Sequence, residues 1–295
     1  MKSVLAVGEV LWDVFPDGPR FGGAPANFAC ACAELGGGRV RTCLGSAVGR
    51  DDLGDEARKR LAEHGVDTTH LATVAAETGQ VFVSLDPAGK ASYRFIDDPA
   101  WDHLTATPDL LRTAATADVV CFGTLGQRAT ESREAVRSVV QASRPDCLRV
   151  LDINLRPPHW SADVLLDSLA LANVAKLNDE ELPLVAGVLG VSGDETAVLT
   201  HLLSRFALKL VALTRGANGS VLLAADGTRS ERPAEAVTVI DTVGAGDAFT
   251  AALALGLAFG HPLDRTHCSA GETAAFVCTQ SGGTPTFPPR LHLHP

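Results

Sequence analysis

Short apolar runs alternate with longer amphipathic segments along most of the chain. Ser3–Glu9, Val119–Gly123, Arg149–Ile153, Val174–Leu177 and Leu210–Thr214 are short and rich in valine, leucine or both. Runs of that length and composition fit strands buried on both faces. Helical spacing of apolar positions predicts helices around Pro25–Leu35, Asp52–His64, Ser132–Ala142, Ser161–Ala170, Asp179–Val188, Asp194–Arg205, Gly246–Phe259 and Asp264–Gln280. Strands and helices in this alternation predict an α/β fold. Its form is a three-layer α/β/α sandwich with a mostly parallel central sheet.

Two segments break the rhythm. Residues 9–18, EVLWDVFPDG, and 79–96, GQVFVSLDPAGKASYRFI, read as antiparallel ribbons. In the second, Val81, Val83 and Leu85 alternate with Gln80, Phe82 and Ser84, and Asp86–Lys90 supplies a turn. These strands predict a small β-sheet lid over the strand ends. The core is then 1–12, 19–77 and 98–295, and the lid 13–18 and 78–97. The tail PPRLHLHP reads as solvated.

Composition narrows the partners. The chain of 295 residues is 46% hydrophobic and carries a formal net charge of −10. An acidic surface argues against nucleic acid and against anionic membrane, though a local phosphate site remains open. No apolar stretch reaches 18 residues, and MKSVLAVGEV reads as a first strand, not a signal peptide. Seven cysteines without a CxxC spacing read as buried reduced thiols, so a cytoplasmic location is expected.

The candidate chemistry starts at DTVGAGDAF, Asp241 to Phe249. The apolar run after it predicts a buried helix, so Gly244, Ala245 and Gly246 stand at a helix N-terminus. Unpaired main-chain N–H groups there favour an anion, and glycine lets the backbone come close to one. Asp247, with an ordinary aspartate pKa, is already ionised at neutral pH and can accept the proton of an attacking hydroxyl. The plainer reading is a tight turn capped by Asp241 and Asp247. The chain has no GxxxxGK[ST], and GAGDAF lacks the third glycine of a dinucleotide loop.

GGAPANFA at 22–29, DINLR at 152–156, NDEE at 178–181 and TRGANG at 214–219 precede DTVGAGDAF in this order. Together they resemble the ribokinase-like, or PfkB, carbohydrate kinases over nearly the whole chain. Within that family, GEVLWDVFPDG, AWD at 100–102, FGTLGQR at 122–128 and DINLRPPHW at 152–160 are most similar to bacterial fructokinases. The resemblance implies transfer of the ATP γ-phosphate to a sugar hydroxyl with Mg²⁺, on an α/β sandwich with a small β-sheet lid. It makes Asp247 the base and Gly244, Ala245 and Gly246 the anion hole. Asp13, Gly23 and Asn27 would bind the sugar, with Gln127 and Arg128 as further candidates. Asn178 and Glu181 would organise Mg²⁺-bound water, although the same pair fits a capping box. Thr214, Gly216 and Gly219 match the nucleotide loop, where a bare turn before a hairpin is the alternative. Arg156 would neutralise the transferring group, helped by Asn154, with Arg215 as a further cation.

The family also implies a monovalent cation, K⁺, at Asp241 and the backbone from Ser281 to Gly283, and a homodimer through lid strands. One departure from its pattern is Gly271, where several members have an asparagine near adenine. D-fructose is the first expectation for the substrate. Ribose, a keto-deoxy sugar acid or a nucleoside would make it another kinase of the family. One tyrosine and three tryptophans leave few aromatics for stacking a nucleoside. A non-catalytic sugar sensor on the same fold would have lost the base or the glycines, and both are present.

Overall fold

Valine- and leucine-rich strands assemble into a ten-stranded sheet in the computed structural model, which describes residues 1–85 and 91–295. At its centre, β1 (Lys2–Val7) lies between β4 (Val40–Val48) and β9 (Val119–Gly123). Outward from β9 follow β10 (Leu148–Asp152), β11 (Val174–Asn178) and β12 (Leu210–Thr214), all parallel. The antiparallel strands β13 (Ser220–Ala224) and β14 (Arg229–Arg232) close that edge. On the other side, β5 (Val66–Asp67) and β6 (Leu71–Thr73) both pair with β4 in parallel.

Successive side chains of a strand point to opposite faces, so an all-apolar strand feeds two cores. Val4 and Ala6 pack with Phe28, Phe249, Leu253 and Val277 under α1 (Ala24–Leu35), α8 (Ala245–Ala258) and α9 (Leu263–Cys278). Leu5 and Val7 face the opposite layer. There they meet α3 (Pro108–Thr116), α4 (Thr130–Ala142), α5 (Ala162–Leu171), α6 (Glu181–Leu189) and α7 (Glu195–Phe206). Each fully buried valine, leucine or phenylalanine contributes about 1.5–3 kcal/mol. The expected three-layer sandwich is present.

The small sheet stands apart. Its order is β3 (Gly18–Gly22), β2 (Leu11–Phe15), β7 (Gly79–Leu85) and β8 (Ala91–Phe95). Both hairpins are antiparallel as expected, and β2 joins β7 in parallel. The sheet takes in Leu11, Trp12 and residues 19–22, which the sequence placed with the core. Trp12 and Phe21 pack edge to face at 5.4 Å and extend the ribbon. The turn expected at Asp86–Lys90 lies outside the described residues.

The chain enters the small sheet through a fixed point. Asp51 caps α2 (Asp52–Glu63) by accepting from Gly54 N at 2.8 Å, and also accepts from Thr78 N at 2.8 Å and Thr78 Oγ1 at 2.6 Å. That anchors the residue before β7 to the core. The tail corrects the sequence reading: Leu291 and Leu293 are buried, and Leu293 N donates to Leu35 O at 2.8 Å. The two leucines of RLHLH supply the apolar surface that holds it down. All seven cysteines are unpaired, and five are buried.

Candidate active site

Helix α8 forms because its sequence is small and apolar throughout, and Gly244 starts it in the left-handed region at φ 77°. A Cβ on Gly244 would lie 2.5 Å from both Cα and O of Gly283. The loop before α8 is therefore pressed against the segment that follows α9. Asp241 fixes the same contact: Val243 N donates to its Oδ1 at 3.0 Å and Gly282 N to its Oδ2 at 3.1 Å.

Asp247 lies in the first turn of α8, and Asn27 in α1. Asn27 Nδ2 donates to Asp247 Oδ2 at 2.8 Å across 220 residues of sequence. Asn27 lies inside the helix, whose N-cap is Gly23. It sits one turn inside α1, whose start follows Gly23 and holds Pro25 in its first turn. The two glycine-rich motifs meet at this hydrogen bond.

The electrostatics depart from the sequence expectation. Burial, then the negative charge of Asp152, push the Asp247 carboxyl up to about 6, while Asn27, Lys176 and Arg156 pull it down. An ordinary aspartate pKa was expected. Enclosure by protein outweighs the helix terminus here. The surface of Asp247 is only partly covered, yet its carboxyl is hemmed in densely enough to raise it.

Four groups that the sequence reading did not assign complete the floor. Lys176 on β11 and Asp152 on β10 form an ion pair at 3.1 Å, each side chain 7% exposed. Thr250 Oγ1 lies 2.8 Å from Asp152 Oδ2 and 2.9 Å from Gly246 O, with a single proton to share. Glu9, 2% exposed, follows β1; burial, then the negative charge of Asp247, push its carboxyl up to about 7, against its own main-chain N–H and the charge of Arg156. The available signals were a lone lysine in the strand VAKLN, and an acid at the end of an apolar strand.

Arg156 is exposed in the loop after β10, close enough to pull down the carboxyls of Asp13, Glu9 and Asp247. Burial still holds Asp13, on β2, up at about 6. Glu181 and Asn178 form a reciprocal capping box. Glu181 Oε2 accepts from Asn178 N at 2.9 Å, and Asn178 Oδ1 accepts from Glu181 N at 2.8 Å. Glu181 Oε1 accepts from Leu155 N at 2.7 Å, which ties the Arg156 loop to α6. Thr214 ends β12, and Gly216 and Gly219 follow at φ 52° and 84° in the turn leading to β13.

Three candidates stand elsewhere. Gln127 is 0% exposed, and its Nε2 donates to Gly123 O and Ser168 Oγ, both at 2.8 Å. It fills the seam between β9 and α5. The Arg128 guanidinium is held by Asp102 at 2.9 Å, donates to Ile96 O at 3.2 Å, and lies 5.0 Å over Trp101. Arg215 pairs with Glu231 at 2.8 Å and Glu195 at 3.6 Å. A concavity of about 410 Å³ opens between Asp97, Asp98, Arg128, Arg133 and His159; Asp247, Asp13 and Asn27 do not line it. Around Asp247 lie the side-chain amide of Asn27, the N-terminal turn of α8 and the cations Lys176 and Arg156.

The chain is similar to known carbohydrate kinases in sequence and in fold. The sequence profile of the pfkB family carbohydrate kinases matches residues 15–290. A fructokinase of Klebsiella pneumoniae is 34% identical over 268 residues, covering 87% of this chain and 84% of that protein. The structure of a fructokinase from Xylella fastidiosa with bound ATP superposes with TM-score 0.83 at 27% identity, covering 97% of this chain and 95% of that one. A double mutant of the fructokinase of Vibrio cholerae O395, in a form with fructose, ADP and potassium ion, superposes with TM-score 0.78 at 26% identity, covering 97% and 95%. With the profile matched almost from end to end and both glycine-rich motifs joined at Asp247, the chain belongs to the pfkB family of carbohydrate kinases.

Proposed function

We propose that this chain is an ATP-dependent fructokinase, transferring the γ-phosphate of ATP to a primary hydroxyl of D-fructose. The Asn27–Asp247 hydrogen bond carries the reading, because it sets a hydroxyl-binding amide against a carboxylate at the mouth of an anion loop. In this reading Asp13, Gly23 and Asn27 hold the sugar. Asp247 takes the hydroxyl proton as the sugar oxygen bonds to phosphorus and the bond to the β-phosphate oxygen breaks. A base near 6 is matched to that task at neutral pH. The amides of Gly244, Ala245 and Gly246 and the Arg156 guanidinium balance the charge of the transferring group. Thr214, Gly216 and Gly219 hold the nucleotide.

Mg²⁺ would be held here through water rather than by a cage of side chains, since among the described residues no group of three or more His, Cys, Asp or Glu side chains is placed to hold a metal ion. Glu181 is 4% exposed with both oxygens engaged by main-chain N–H groups, so it would act on the metal through water. Bound with ATP, Mg²⁺ would neutralise phosphate charge. Asp241, joined to Gly282, suits K⁺ beside the anion loop. The small sheet would act as the lid; Phe95 on β8 already meets His159 of the Arg156 loop edge to face at 4.8 Å. A cytoplasmic location, where ATP is supplied, is part of this proposal. No helix among the described residues is long and apolar enough to cross a membrane.

An ADP-release assay over fructose, ribose, a keto-deoxy sugar acid and a nucleoside, with ATP or GTP, tests the assignment. Fructose with ATP should give a kcat/KM at least tenfold above each alternative. A preference for any other acceptor rejects the substrate, and no ADP with any acceptor rejects catalysis. Replacing potassium by a large organic cation should lower the rate severalfold; an unchanged rate removes K⁺. A homodimer joined through edge strand β3 or β8 should appear at about twice 30.7 kDa in light scattering, and a monomer mass rejects it.

A further inference from the structure

His267 on α9 is 0% exposed, yet both of its ring nitrogens have hydroxyl partners. Nε2 lies 2.7 Å from Ser220 Oγ, and Nδ1 lies 2.9 Å from Ser230 Oγ. Ser230 Oγ in turn donates to Asp264 Oδ1 at 2.6 Å. The direction of every proton follows. A carboxylate only accepts, so the single hydroxyl proton of Ser230 goes to Asp264, and Ser230 accepts from His267. Nδ1 therefore carries the ring proton, Nε2 is the acceptor, and the Ser220 hydroxyl donates to it. The ring is neutral at pH 7, since burial, then the charge of Arg232, hold it down at about 4. Phe249 of α8 meets the same ring edge to face at 6.3 Å. A serine donating to a histidine also opens a hydrolytic relay, but Ser220 is 6% exposed, and no substrate reaches it.

Ser220 is where this chain of hydrogen bonds meets the candidate nucleotide loop. It opens β13 directly after Gly219, and in the sheet it lies between Thr214 and Arg232. The loop has little of its own to hold it. Gly216, Ala217 and Asn218 are exposed, and the glycines at its two ends stand at φ 52° and 84°. A Cβ on Gly219 would collide with Arg232 O, so the return of the loop is pressed against the end of β14. One residue later, Ser220 is tied to α9. We infer that His267 is a positioning residue, which acts through the Ser220 hydroxyl to hold the Thr214–Gly219 loop in the shape that receives the nucleotide. The inference rests on the kinase reading of that loop. Both serines and both ring nitrogens are satisfied, the condition under which a buried polar network stiffens its surroundings.

The test joins ¹⁵N NMR of histidine-labelled protein to ADP calorimetry and ATP kinetics. His267, assigned by its loss in His267→Gln, should appear as the neutral Nδ1–H tautomer, and an Nε2–H ring overturns the inference. Ser220→Ala should weaken ADP binding and raise KM for ATP about tenfold, as when only a tenth of the protein keeps a competent loop. Its kcat and its KM for the sugar should stay within about twofold, because no group at Asp247 is lost. Ser230 lies opposite Leu222, away from the loop. Ser230→Ala should nevertheless let the ring proton move to Nε2 and raise KM for ATP severalfold. A merely structural relay would lower Tm in both variants and leave ADP affinity unchanged, and that result overturns the inference. Should either variant fail to fold, the other decides alone by the same measurements. Wild-type protein that binds no ADP rejects the nucleotide loop and the inference together; wild-type binding that Ser220→Ala leaves unchanged rejects the inference alone.

Discussion

Asp247→Asn should leave a folded protein whose kcat for sugar phosphorylation is lower by about 10³-fold or more, the range for loss of a positioned general base. KM for the sugar should change far less, because the new side-chain oxygen still accepts the hydrogen bond from Asn27. The wild-type rate should also fall on acidification through about pH 6, as Asp247 protonates and loses its acceptor function. Stability moves the other way. The folded carboxyl titrates above its unfolded value of 3.8, so its stabilising contribution is full below pH 3.8 and lost as the pH rises through about 6. At pH 7 the ionised group therefore opposes folding, on the order of 2 kcal/mol, and Asp247→Asn should raise Tm. A variant with near-wild-type turnover, or one that melts earlier, would contradict this account of the site.

The second large effect is expected at Gly244. Gly244→Ala asks a Cβ-bearing residue to hold φ 77° with its methyl 2.5 Å from the Gly283 backbone. The conformation alone costs roughly 1 kcal/mol, and the contact cannot be relieved by a side-chain rotation. The loop must move away from Gly283, which carries the amides off the phosphate. Activity should drop by about 10²-fold, as for the loss of one anion-hole donor, and Tm should fall with it. Gly246→Ala is the internal comparison. Its φ is not positive, and its methyl would meet the Lys176 ammonium at 3.1 Å, the far end of a flexible side chain. It should keep more of its thermal stability. Equal melting of the two variants would undo the argument for Gly244.

How far the sequence carried depended on what each residue could signal alone. β9 and β12 were legible to the residue because both run apolar with no interruption. β4 was not, because Arg41, Thr42, Gly45 and Ser46 break its pattern; yet Thr42 and Ser46 are buried in the finished sheet. α3 was also missed, since its polar threonines and arginine read as a loop. In the site, Asp247, Gly244 and Asn27 announced themselves through contiguous motifs. Lys176, Asp152 and Glu9 did not, because each is a single charge in an apolar run that acquires meaning only from a neighbouring strand. Gln127 and Arg128 are the converse case: polar residues at a strand end look available, and the fold adds Ser168 and Asp102, from distant parts of the chain, as their partners.

The hydrogen bond between Asn27 and Asp247 has a consequence in time as well as in space. Its partners are 220 residues apart, so the site has a very high contact order, and loop-closure entropy delays its assembly. On the proposed roles, synthesis delivers Asp13, Gly23 and Asn27 first, while Asp247 and the Gly244–Gly246 loop are still untranslated. A nascent chain would then hold the proposed sugar-binding groups before it could consume ATP. Phosphoryl transfer would wait until α8 has docked against α1.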